Sequence, residues 1–64
     1  MDAKIITYKD DKYLGLLAFW HGQSKEYVIG EWKRLMIDAS KFDKGNYVYV
    51  LEIDGQAIDT SLII

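Results

Sequence analysis

The chain has no cysteine, no proline and a single histidine, His21, among its 64 residues. Without cysteine there can be no disulfide and no thiolate metal site, and one histidine does not build a His-rich one. Hard-cation loops need carboxylates clustered at fixed spacing around a glycine, and Asp10–Asp11 lacks that spacing. The expectation is a protein without metal or cofactor. A chain this short buries only roughly 60% of its unfolded surface, and the covalent and metal staples of many small domains are closed to it. The lack of cysteine fits a reducing compartment. Met1 is followed by DAKIITYKDD, with neither a basic leader nor a long apolar core. The apolar run Leu14–Trp20 is far short of the ~20 residues that cross a bilayer. Read as a whole gene product, the chain is expected in the cytoplasm, as one domain over residues 1–64, with no membrane partner.

Other scarcities exclude chemistry. The five glycines, Gly15, Gly22, Gly30, Gly45 and Gly55, stand singly, so no glycine-rich phosphate loop exists. His21 has the type of a general base, but no serine or cysteine motif accompanies it, and Ser24 lacks the glycines of a nucleophile elbow. Beside Gly22 it reads as an exposed turn histidine. Glu26 or Glu31 with Asp10 or Asp11 would make a carboxylate couple, but no spacing demands it, and a solvated face accounts for them. A chain of this length must also build a water-excluding pocket to catalyse, and the expectation is that it is not an enzyme. Eight Lys and Arg against ten Asp and Glu leave a net charge of −2. The cations that can cluster are Lys33, Arg34, Lys41 and Lys44; they carry an alternative reading as a nucleic-acid site, since phosphate neutralisation supplies that affinity.

What is present is β-rich at both ends. Lys4–Tyr8 (KIITY) and Tyr13–Trp20 (YLGLLAFW) read as strands around a polar turn, KDDK. Tyr47–Ile53 (YVYVLEI) and AIDTSLII flank Asp54–Gly55, a favoured type I′ turn, and predict a C-terminal hairpin. HGQS, His21–Ser24, is another turn signal; a hairpin there brings Tyr27 beside Ala18. The middle supports two readings. Trp32, Leu35, Met36, Ala39 and Phe42 share one helical face, with Lys41, Lys44 and Gly45 suited to the helix end. Against this, EYVIG is β-rich, Gly30 weakens a helix, and Leu35, Ile37 and Ala39 alternate as in a strand. The choice lies between an all-β sandwich or barrel of about six short strands and an α+β, ββαββ order with a helix at about 31–42.

Leu35–Gly55, LMIDASKFDKGNYVYVLEIDG, resembles a strand pair of immunoglobulin-like β-sandwich modules, such as the C-terminal modules of secreted bacterial proteins. Asp38, Ser40, Phe42, Gly45 and Tyr47 occupy the matching positions. The resemblance covers about a third of the chain; the chain lacks the Asn-Pro opening and ends in LII rather than a basic residue. It implies the all-β fold, which is the reading adopted from sequence, and a further alternative role as a module of a larger secreted protein.

The informative excess is apolar. Half-exposed strands alternate apolar and polar residues, yet Tyr13–Trp20 carries Tyr13, Leu17 and Phe19 on one alternation and Leu14, Leu16, Ala18 and Trp20 on the other. Tyr47–Ile53 and the last strand are apolar on both alternations too, and SLII would be an edge without a guarding lysine or proline. Surplus apolar surface marks an interaction face; the competing account is a well-filled small core. The expectation is a non-catalytic protein-interaction module, of inhibitor or adaptor type or self-associating as a homodimer. Trp20, Tyr27, Trp32, Tyr49, Leu62 and Ile64 are the candidate contact residues, because aromatic anchors dominate interface energetics.

Overall fold

The computed structural model describes all residues 1–64. Two hairpins flank one helix: β1 (Asp2–Lys9), β2 (Lys12–His21), α1 (Lys25–Phe42), β3 (Tyr47–Ile53) and β4 (Gln56–Ile63). The strands form one antiparallel sheet in the order β2-β1-β3-β4. The fold is α+β. It overturns the all-β sandwich of six strands, and the chain adopts the ββαββ order instead, with the helix starting at Lys25 rather than near residue 31. Leu35–Phe42 is helix, so Leu35–Gly55 does not form a pair of sandwich strands.

The helix forms through a β-rich stretch for local and tertiary reasons. Ser24, extended at φ −73° and ψ 156°, caps it and accepts the Tyr27 N–H at 3.1 Å, satisfying one of the free donors of the first turn. HGQS therefore leads into a helix instead of turning back as a hairpin, and the partner of Ala18 is Ile5, not Tyr27. Val28, Trp32 and Ala39 are buried, with Leu35 and Met36 packed beside them, a stripe of helical period. Gly30 lies on the solvent side, where it interrupts no packing. The helix ends at Asp43, whose N–H bonds the Ala39 carbonyl at 2.8 Å.

Both tight turns are two-residue loops with positive φ at each position: Asp10 (50°) and Asp11 (65°), then Asp54 (50°) and Gly55 (83°). That is the type I′ form, whose twist suits hairpin strands. The expected C-terminal hairpin is present, with Ile53 paired to Gln56. The core lies between helix and sheet: Ala3, Ile5, Tyr49, Leu51, Ile53 and Ile63 meet Val28, Trp32 and Ala39. Two polar links secure the layers. Asp59 Oδ2 accepts the Trp32 indole N–H at 3.0 Å, while Oδ1 accepts the Thr60 N–H at 2.8 Å. The Tyr49 hydroxyl donates to the Asp43 carboxylate at the end of the helix. No helix is long and apolar enough to cross a membrane.

Candidate functional site

The helix covers one face of the sheet. The other is uncovered, and the register defines it. Ala3, Ile5 and Thr7 of β1 are buried, so Lys4, Ile6 and Tyr8 point the opposite way. Three cross-strand rows follow, read from β2 to β4: Phe19, Lys4, Glu52, Ala57; then Leu16, Ile6, Val50, Thr60; then Tyr13, Tyr8, Val48, Leu62. Nine of these twelve are apolar or aromatic. Leu16 and Phe19 are each 57% exposed, Tyr13 and Leu62 each 60%. Tyr8 and Tyr13 meet edge to face at a centroid distance of 5.7 Å, a favoured aromatic geometry.

Polar groups rim this band. In the first row Lys4 Nζ lies 3.7 Å from Glu52 Oε1. Beyond it, His21 Nδ1 sits 2.5 Å from Asp2 Oδ1, and the Asp2 N–H reaches Asp54 Oδ1 at 2.9 Å. At the opposite end Asp10 is tied to Asn46 by two bonds of 3.3 Å, one through the backbone and one from Asn46 Nδ2 to Asp10 Oδ1. An apolar centre with a polar rim is the anatomy of a protein interface.

The composition of the face depends on irregularities in β2. The pairing shifts between Ile5 and Ile6, passing over Leu17, and again between Thr7 and Tyr8, passing over Leu14. Each extra residue inverts the alternation beyond it. Leu16 and Phe19, on opposite alternations in the sequence, thus share the open face. Leu17 turns to the helix side, where it lines a groove with Leu35, Ala39 and Phe42. The same irregularities blunt β2 as an edge. At the other edge, β4 passes over Ile58 between Asp59 and Ala57 and is then regular to Ile63; SLII is indeed an edge segment without lysine or proline.

The six expected contact residues do not form one surface. Trp32 (4% exposed) and Tyr49 (2%) are core, because their rings face between helix and sheet; this removes both from any surface a partner touches. Trp20 is half-buried against that core on the helix side. Tyr27 is exposed in the first helical turn, and Ile64 is exposed at the C-terminus. Of the six, only Leu62 belongs to the open face. Leu16, Phe19, Ile6, Val48 and Val50, with the tyrosines Tyr8 and Tyr13, make up the rest of its apolar centre; the two-sided apolar pattern signals a surplus but not its members.

The candidate cations are exposed along the helix and the loop after it. Arg34 is engaged by Glu31, with its Nε 3.0 Å from Oε2, and lies 3.7 Å from Asp38. The hydrogen bond to Arg34 holds the Glu31 carboxyl below its usual range. Lys33 and Lys41 share the helix with Glu26, Glu31 and Asp38, and Lys44 follows it in the loop. His21, its side chain 82% exposed, ends β2 with Asp2 as partner. Burial first, and then the hydrogen bond to Asp43, push the Tyr49 phenol well above its ordinary value.

Compared with known protein families, curated proteins and solved structures, the chain matches none.

Proposed function

We propose that this protein is a non-catalytic interaction module whose working surface is the open face of its sheet. The observation that carries the reading is the contiguous apolar band across all four strands, from Leu16 and Phe19 to Val48 and Leu62, left uncovered by the single helix. Large exposed apolar patches of this kind mark association sites on small soluble domains. At roughly 25 cal/mol per Å², covering such a band is worth many kcal/mol before the costs of association. The polar ends orient whatever docks there. The function is occlusion or bridging, by binding a partner protein or a second copy, in the manner of an inhibitor or adaptor.

The test pairs two variants. Leu16→Lys with Leu62→Lys places charge in the band while leaving the helix-side core untouched. Lys33→Ala with Arg34→Ala alters only the helix exterior. Association that is lost in the first and kept in the second supports the reading. Association lost only in the second overturns it in favour of the helix exterior.

A further inference from the structure

The open face sets its bulkiest side chains on β2 and a charged pair on the two central strands. Building on the reading of that face as the interaction surface, we infer that its occupant is a second copy of this chain, packed sheet to sheet about a two-fold axis that runs along the strands between β1 and β3.

Two features select this arrangement. The first is charge. Within the three rows the face carries one cation, Lys4, and one anion, Glu52, side by side on the two central strands in the same row, with Asp2 and Asp54 beyond that row at the rim. A two-fold axis along the strands lays β1 of each copy over β3 of the other and keeps rows in step. Lys4 then meets Glu52 of the second copy, and Glu52 meets Lys4 of the second copy, giving four alternating charges. The other in-plane axis, across the strands, inverts the rows. It lays Lys4 over Tyr8 and Glu52 over Val48, which leaves each charge desolvated without its opposite across the interface.

The second feature is shape. The same axis lays β2 over β4. The bulky side chains of β2, Phe19, Leu16 and Tyr13, then fall opposite Ala57, Thr60 and Leu62, large against smaller in two of the three rows. Interdigitated inner faces about 10 Å apart, with strands aligned within about 30°, are the ordinary geometry of packed sheets. Size fits as well. The Cα frame measures 32 × 21 × 15 Å. The broadest projection of that frame, on the order of 700 Å², bounds the face from above and is within reach of the ~800 Å² that each partner gives to a standard interface. The assembly is a closed, isologous dimer with helices outside and two sheets within.

Lys4→Glu and Glu52→Lys test it. Each variant alone sets like charges against each other at both contacts, and we expect its self-association to weaken by roughly a hundredfold or more. Mixed in equal amounts they regain opposite charges at both contacts. Sedimentation of the wild type should give twice the chain mass, each variant alone the monomer mass, and the mixture the dimer mass again. Recovery in the mixture shows that both variants fold. The exchange of both residues in one chain, Lys4→Glu with Glu52→Lys, should also dimerise and guards against instability of the single variants. A wild type that stays monomeric across micromolar concentrations overturns the inference, and so does a mixture that stays monomeric while the doubly exchanged chain is folded. A dimer indifferent to both reversals overturns it and points to the β4 edge. Leu16→Lys separates the two levels. If it abolishes binding of another protein to a monomeric wild type, the interaction face stands and only the second copy falls.

Discussion

Replacing Gly30 by alanine should stabilise the protein, and the same change at Gly55 should destabilise it. At both positions an added Cβ meets no heavy atom within 4 Å, so sterics and packing do not separate them. Backbone conformation does. Gly30 lies inside α1 on its solvent side, where alanine is preferred over glycine by about 0.8–1 kcal/mol, largely because it has fewer unfolded conformations to lose. For a domain of this size about 1 kcal/mol moves the melting temperature by roughly 4–8 °C. Gly55 has φ 83°, and holding a side chain in the left-handed region costs roughly 1–2 kcal/mol, which exceeds the entropic gain. Thermal melts followed by far-UV circular dichroism, at one fixed protein concentration because any self-association shifts apparent stability, should move in opposite directions. A neutral or lowered melting temperature for Gly30→Ala would refute the assignment of Lys25–Phe42 as a helix with Gly30 facing solvent. It would place a packed surface or a strand there instead.

Three further outcomes follow from the same structure. Asp10 and Asp11 hold positive φ in a type I′ turn without any glycine, so Asp11→Gly should stabilise by about 1 kcal/mol in the same melts; no gain would mean that the Asp11 carboxylate holds the turn. Trp32→Phe removes the indole N–H from Asp59 and should cost roughly 1–3 kcal/mol in denaturant unfolding. Additive losses in a double-mutant cycle with Asp59→Ala would show that the bond contributes nothing. The Tyr49 phenol is raised in the folded protein from an ordinary value of 10.0, so above that pH the unfolded chain gives up a proton that the folded one keeps. Its contribution is intact below about pH 10 and lost as pH rises, at up to about 1.4 kcal/mol per pH unit. Tyr49→Phe should flatten that alkaline decline, and an unchanged slope would assign it elsewhere.

Much of the topology was legible locally. KDDK and Asp54–Gly55 between β-rich runs contain their own turn chemistry, and both hairpins form there. The excess of apolar residues on both alternations of the strands was also legible, and with it the expectation of a surface left over. Its membership was not. Facing along a strand is a count by twos, and the extra residues in β2 reset that count, so Leu16 and Phe19 come together although the alternation parts them. Aromatic identity was a poor guide for the same kind of reason. Trp32 and Tyr49 have the composition of interface anchors, but their rings lie between helix and sheet, and their polar atoms find partners there in Asp59 and Asp43.

The sequence by itself determined the two hairpins, the polar turns and the quantity of apolar side chain to be covered, because each depends on neighbouring residues. Tertiary structure decided the rest. EYVIG becomes helix because Ser24 caps it and because Val28 and Trp32 find the sheet beneath them at a period of 3.6, outweighing a β-branched composition and Gly30. One helix covers one face of a four-stranded sheet, and which face remains open rests on register, a property of pairs of strands that neither strand carries alone.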